Sequence, residues 1–463
     1  MKTILLPSEK CPVVAEVDVL VVGGGAGGIG AAVGAAQNGA TVAVVEYFGC
    51  LGGLLTSGYI TSCEAAVAVS GDNILIKGVF EKLVDKMAAA GGAIRGYELA
   101  GSNKYYPFDT SRCEKDLQIT LWDPEVFKTA ADELMEENHV QLFYYTMVTK
   151  ILMEDNTVIG AVIENRSGRQ VILAKRIIDS SGNLTAAISA GAECRGVGEK
   201  GAMTLMFRVG NVKNVVPSYK PNVSAIPYGA INFFPLIREG EFRVEMTRYK
   251  GSENNAEDWT KGTIGCRKQC GMILQYLKDH WTGFEDAYLI DSAPSIGTIC
   301  QPHLVGEKSM TKDIILNRMV MDDRIAITAY GIDLHSPDVG GQNVLFYLEP
   351  GQYYGVPYGV MVPKSPVENL LVAGKAVSAD ADATSGVLCS GICMAMGEAA
   401  GTACAVSIQD DVTPRNVDLK KVQAKLLEHG AILDPEPVPE RNNYPIYESV
   451  LDRDPELKKK YLS

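Results

Sequence analysis

The sequence predicts an α/β fold: a three-layer domain on a largely parallel sheet, with a mixed α+β domain inserted into it. Three observations predict it. An apolar, β-branched run at residues 17–22 ends at a glycine cluster and leads into an Ala-rich helical stretch and a second apolar run at 41–46. That is a βαβ unit completed in roughly 30 residues. Four strand-like runs then crowd into residues 140–178, and a last apolar run at 369–373 returns after a middle of different texture.

Residues 17–22, Val-Asp-Val-Leu-Val-Val, are bounded by glycine and read as a buried strand. Residues 26–38 lack Pro and are stopped by Gly39, which reads as a helix. Asp123 and Pro124 form an N-cap and first position for a helix running to about Asn138. Strands follow at 140–144, 147–153, 158–164 and 171–178, the last two joined by a turn at Ser167-Gly168. Asp179-Ser180-Ser181-Gly182-Asn183 breaks the pattern before a further Ala-rich helix. Residues 195–366 carry short strands, many Tyr and Pro, and a polar loop at 251–258. They read as a mixed domain with an antiparallel sheet. Helices at 385–406 and 418–429 close the chain. The expected division is 1–54, 122–194 and 367–463 for the first domain, and 55–121 and 195–366 for the second.

The 463 residues carry 43 Lys and Arg against 56 Asp and Glu, a net charge of −13. Such a balance argues against nucleic acid, whose phosphates need a basic surface. The 11 cysteines are odd in number and form no CxxC pair, so zinc-ribbon and thioredoxin-type sites have no support and no metal is expected. Reduced, buried thiols of a cytoplasmic protein are expected instead. Residues 1–17 contain Lys2, Glu9, Lys10 and Glu16 and lack the apolar core of a secretory signal. The most membrane-like stretch, 387–406, contains Glu398 with several Gly and Ser, and reads as a buried helix.

Gly23, Gly25 and Gly28 form GxGxxG where a dinucleotide needs it, directly after a strand and opening a helix. Gly23 permits the turn, Gly25 lets a pyrophosphate approach the backbone beside Ala26 and Gly27, and Gly28 allows close helix–strand packing. The helix N-terminus offers N–H groups and a positive dipole end to the phosphates. Glu46 lies 46 − 28 = 18 residues on, placed to accept from ribose hydroxyls. A second glycine turn, Gly49-Cys50-Leu51-Gly52-Gly53, suits a long extended dinucleotide. With the split of the nucleotide-binding halves by an insertion, it points to FAD over NAD. The expectation is therefore a Rossmann-type FAD-binding domain carrying an inserted substrate domain.

These stretches resemble the FAD-dependent oxidoreductase family of glutathione-reductase-like fold, whose relatives include fumarate reductase flavoproteins and the flavin subunit of heterodisulfide reductase. The resemblance runs through residues 16–30, 44–46 and 50–53. It continues at 177–183, at Asn369-Leu370-Leu371-Val372-Ala373-Gly374-Lys375, and at Met396-Gly397-Glu398-Ala399-Ala400-Gly401. It implies that Val148 contacts the adenine, that Gly182 lies near the adenosine, and that Gly374 and Asp380 lie near the pyrophosphate and ribityl chain. It also implies that Ser385, Gly386 and Val387 open a helix facing the flavin pyrimidine edge. There, backbone N–H groups and a helix dipole would stabilise the charge of reduced flavin. One stretch departs from the family: residues 297–307 have lost its Arg positions, and His303 stands at one of them.

Hydride exchange at flavin N5 needs a proton acceptor or donor on the other side of the substrate. His335 shares a strand side with Asp333, and a carboxylate beside an imidazole orients it and raises its basicity. His303 and Tyr358 are further candidates, Tyr358 as part of the substrate face. Cys389 and Cys393, like Cys266 and Cys270, are four residues apart and read as packing thiols. The leading expectation is an oxidoreductase acting on a small organic substrate, with an electron acceptor the sequence does not name. An electron-transfer subunit and an FAD enzyme without net redox are the alternatives. A homo-oligomer is the default for a soluble enzyme.

Overall fold

The computed structural model describes residues 3–437 other than 6–7, 64–68, 71–72, 95–119, 214–231, 299–301, 335–343, 347, 350 and 365. Its first unit is the expected one. Strand β1 (Val13–Val22), helix α1 (Ala26–Gln37) and strand β2 (Val42–Val45) form the βαβ unit, with β1 and β2 parallel and Val22 opposite Val45. Helix α2 (Val79–Ala89) follows, then α3 (Pro124–Glu137), where Asp123 accepts from Glu125 N at 2.8 Å and Pro124 opens the helix. Phe127, Ala130, Leu134 and Met135 make its buried stripe.

Strands β3 (Gln141–Phe143), β4 (Met147–Glu154), β5 (Thr157–Asn165) and β6 (Gly168–Asp179) take up the four strand-like runs. The sheet order is β3-β2-β1-β6-β5-β4, and β11 (Leu370–Val372) also pairs with β6. The β3, β2, β1, β6 and β11 pairings are parallel, whereas β4, β5 and β6 run antiparallel. The register brings Val22, Val45, Asp179 and Val372 to one edge. The loops after all four strands therefore leave from the same crest, where ligands bind in sheets of this kind.

Helix α1 crosses helix α5 (Ser390–Gln409) at backbone contact. A Cβ on Gly30 would stand 2.1 Å from Met394 O, on Gly34 2.4 Å from Glu398 O, and on Gly397 2.0 Å from Gly27 O. The predicted helix at 385–406 is broken: Ser385–Leu388 is a short turn, and Cys389 takes an extended conformation (φ −71°, ψ 154°) before α5 begins. Among the described residues α5 alone is long and apolar enough to cross a membrane, and 89% of its most apolar window is buried inside the protein. Helix α6 (Leu419–Glu428) packs beyond it.

A smaller core gathers residues between Met203 and Ile296, together with Tyr59. It is built on an antiparallel sheet of β7 (Phe207–Gly210), β8 (Asn232–Pro235), β9 (Phe242–Glu245) and β10 (Tyr288–Ser292), in the order β8-β9-β7-β10. Helix α4 (Ala256–His280) buries Cys266, Cys270, Ile273 and Leu277 against it. Leu304, Ile315, Ile327, Tyr354 and Val362, by contrast, pack into the larger core with the parallel sheet.

Candidate functional site

The crest of the parallel sheet opens into a cavity of about 860 Å³ that continues to the inner face of the smaller sheet. Each glycine of the first loop has its own reason. Gly23 has φ +94°, and a Cβ there would lie 2.7 Å from Ser180 O. A Cβ on Gly28 would lie 1.9 Å from Gly23 O, so only glycine allows the helix to sit this close to the turn. Gly25 has φ −68° and meets nothing within 4 Å; the space a side chain would fill is the cavity itself. No side chain caps α1 and no acidic residue stands in its first turn, leaving its N-terminus open to an anion. The second glycine turn packs on the first. Gly52 N donates to Gly24 O at 2.8 Å, Gly52 and Gly53 have φ +104° and +54°, and both line the cavity with Ala26 and Gly27.

Glu46 is buried at the end of β2. Its Oε2 accepts from Gly24 N at 2.6 Å and its Oε1 from Phe48 N at 2.7 Å, while burial pushes its pKa up. It braces the glycine loop and still has lone pairs for a ribose. Val148 lines the same end. Asp179 accepts from Ser181 N, Ser181 Oγ and Ala187 N, and so shapes the turn that carries Gly182 (φ +79°) to the cavity. Gly374 (φ +88°) closes the cradle, because a Cβ on Gly27 would stand 3.0 Å from Gly374 N. The cradle, the free helix end and the buried acid together fit an FAD.

Other predicted positions lie elsewhere. Asp380 accepts from Ala383 N at 2.7 Å and from Lys312 N at 3.0 Å, away from the cavity wall. Ser385, Gly386 and Val387 are buried in packing: Ser385 Oγ donates to Gly331 O, and a Cβ on Gly386 would meet Tyr354 Oη at 2.4 Å. The helix start that reaches the cavity is five residues later, at Ser390, with Leu388, Cys389 and Cys393 beside it. The break at Cys389 causes the slip. His303 is 3% exposed and fixed by Val377 O (3.0 Å) and Thr384 Oγ1 (3.3 Å), off the cavity lining. Tyr358 donates to Pro414 O at 2.8 Å and is likewise buried off the cavity, so it is a core tyrosine instead of a substrate-facing one. His335 lies outside the described residues.

The wall also carries a hydrogen-bonded tyrosine–carboxylate pair that the sequence does not single out. Tyr330 and Asp333 both line the cavity, with Tyr330 Oη donating to Asp333 Oδ2 at 3.1 Å. Asp333 N donates to Ser385 Oγ at 3.1 Å, so the predicted helix residue positions the carboxylate's strand. In the sequence Asp333 stands out only as the neighbour of His335. The Cys393 thiol donates to Val387 O, and burial pushes its pKa to about 12, which makes it inert at neutral pH. No group of three or more His, Cys, Asp or Glu among the described residues has metal-binding geometry.

A family profile described as FAD dependent oxidoreductase matches residues 18–426. No curated protein matches. Solved structures with a similar course include a geranylgeranyl bacteriochlorophyll reductase-like protein from Thermoplasma acidophilum, at 15% identity and TM-score 0.45 over 89% of this chain and 83% of that one. A p-nitrophenol 4-monooxygenase from Pseudomonas putida is 13% identical at TM-score 0.44, over 89% of this chain and 84% of that one. An anhydrotetracycline hydroxylase from Streptomyces rimosus is 11% identical at TM-score 0.43, over 90% of this chain and 66% of that one. With a profile spanning most of the chain, and a cradle that fits its cofactor, the chain belongs to the FAD-dependent oxidoreductase family and is an FAD-dependent enzyme.

Proposed function

We propose that the enzyme moves a hydride between a small organic substrate and flavin N5, within the glutathione-reductase-like branch that includes fumarate reductase flavoproteins. The observation that carries this reading is the continuity of one cavity from the glycine cradle to the smaller sheet. FAD supplies the two-electron chemistry, and the protein supplies position, charge and a proton route.

In this reading the N–H groups opening α1 hold the pyrophosphate, Glu46 the ribose, and Val148 and Gly182 the adenosine. Ser390, with a helix dipole behind it and no acidic residue in the first turn, faces the flavin. The smaller sheet and α4 form the substrate cap. Tyr330 and Asp333 hold a proton at Oη, which the carboxylate can take up or return as the substrate carbon changes oxidation state. His335, two residues beyond Asp333, is a second proton carrier.

The test is the visible spectrum of the purified protein beside Gly25→Trp, followed by anaerobic mixing with alcohols, amines and enoates. Wild type should carry flavin that one of these classes bleaches or reoxidises, and the variant should lose it. A Trp variant with full flavin content would overturn the cradle assignment. A flavin indifferent to all three classes would overturn the hydride reading.

A further inference from the structure

We infer that Lys375 and Glu253 form a gate for the cofactor. Their ion pair bolts the cap to the cradle, and it sets how fast FAD enters and leaves without setting how tightly FAD is held. The gate goes beyond the hydride reading and holds whatever the substrate.

The two partners come from different units. Lys375 directly follows Gly374, which closes the cradle, and β11 before it belongs to the parallel sheet. Glu253 sits in the turn that leads into α4, and Trp259 of that helix packs on the smaller core. Lys375 Nζ lies 2.7 Å from Glu253 Oε1, and the two side chains are only 17% and 7% exposed. A pair this short and this sheltered is not a loose surface contact. Lys375 Nζ also donates to Thr298 Oγ1 at 3.4 Å, and Asn254 Nδ2 donates to Asn183 O at 3.4 Å. The cap therefore meets the cradle at two further points, and all five of these residues line the cavity.

Neither side yields alone. Trp259 Nε1 donates to Glu253 O at 2.7 Å, and Ser252 N donates to Asp258 Oδ2 at 3.0 Å. Asn255 Oδ1 accepts from Glu257 N and Asp258 N, so the turn is fixed to α4 and moves with the cap. On the other side Gly374 is packed against Gly27, and a Cβ on Gly182 would lie 3.4 Å from Lys375 Cε. The lysine stem thus lies along the turn that carries Gly182. A dinucleotide that fills a cavity walled by both units passes between them, so the pair must open on the way in and on the way out.

The pair joins protein to protein. It is closed before FAD enters and closed again afterwards, so it cancels in the affinity. Opening it strands two sheltered charges, and that cost raises the barrier in both directions. Electrostatics alone predicts something else. A carboxylate on the wall beside a diphosphate repels it, so neutralising Glu253 would strengthen binding and slow release if no gate existed.

The test reads both rates from flavin fluorescence: uptake on mixing FAD with the flavin-stripped full-length protein, and release on dilution of the holoenzyme. Glu253→Gln should speed uptake and release by the same factor, about tenfold or more, with Kd within about threefold of wild type. Lys375→Met should do the same. The double variant should exchange no faster than the faster single variant, because one bolt is lost only once. Lys200→Met removes a 3.5 Å pair with Asp258 and should leave both rates unchanged. Unchanged rates in Glu253→Gln, slower release with tighter binding, or faster release with unchanged uptake would each overturn the gate. If Glu253→Gln fails to fold, Lys375→Met is judged by the same three results. Flavin that exchanges as expected but responds to no alcohol, amine or enoate would overturn the hydride reading and leave the gate standing.

Discussion

Glu398→Gln should change how stability depends on pH. Glu398 lies on α5, 1% exposed, and its Oε2 accepts from Val79 N at 3.0 Å, capping α2 from a neighbouring helix. Its Oε1 has no hydrogen-bond partner among the described residues. Burial pushes its pKa from 4.5 to about 7, against the smaller opposing pulls of the Val79 amide and Lys82. The folded protein therefore binds more protons than the unfolded chain between these values, and stability falls as pH rises through that window. At 1.36 kcal/mol per pKa unit the loss is about 3 kcal/mol. Glutamine keeps an oxygen for the Val79 amide and carries no charge. The buried Glu46 and Asp179 are pushed the same way, but they are present in both proteins and cancel in the comparison. Urea denaturation at saturating FAD, at half-unit steps from pH 4.5 to 8, gives the two curves. The variant should gain on wild type by about 3 kcal/mol across the range. A difference that stays flat with pH would refute a charged, buried Glu398.

Gly397→Ala should destabilise the protein by about 1–3 kcal/mol through overpacking and weaken flavin retention, because its Cβ would stand 2.0 Å from Gly27 O in the phosphate loop. Gly271→Ala on α4, with nothing within 4 Å, is the control and should leave bound flavin unchanged, as flavin fluorescence after dilution will read. Tyr330→Phe and Asp333→Asn should slow flavin reduction by substrate by roughly 10²-fold or more with flavin content unchanged. Stopped-flow traces beside those of His335→Ala assign the proton route, since only its members slow the step.

What was legible in the sequence is what short-range physics writes there. The glycines at 23, 25 and 28 follow a β-branched run and open an Ala-rich helix, so the loop, its strand and its helix can all be read within one window. Asp123-Pro124 carries its own cap. The helix break at Cys389 is different. It follows from Gly386 packing on Tyr354 and Ser385 binding Gly331, contacts with a segment more than thirty residues earlier. No local propensity announces them, so the sequence reads as one continuous helix from Ser385, five residues before the start of α5 at Ser390. His303 failed as a candidate for the same reason. Its environment is set by Val377 and Thr384, both distant in sequence, and they satisfy the ring away from the cavity. Tyr330 was missed because a tyrosine beside a carboxylate three residues on has no periodic signature.

The two helix ends that face the cavity are mechanically one object. Gly27 and Gly397 put the backbones of α1 and α5 in contact, and Gly30, Gly34 and Gly401 continue that contact down both helices. A displacement of either helix must move the other, because interiors packed this closely have no slack to absorb it. The open N-terminus of α1 and the one at Ser390 are thus held at a fixed spacing by this run of glycines. Other segments supply the remaining walls of the cavity: β9 with Arg243, the strand with Asp333, and the loop with Leu54 and Leu55. Substitutions there can alter what is bound without disturbing the cradle, whereas substitutions along the α1–α5 seam cannot spare it. Substrate specificity and cofactor retention should therefore separate under mutation, and the division between them should follow this seam and not the order of residues along the chain.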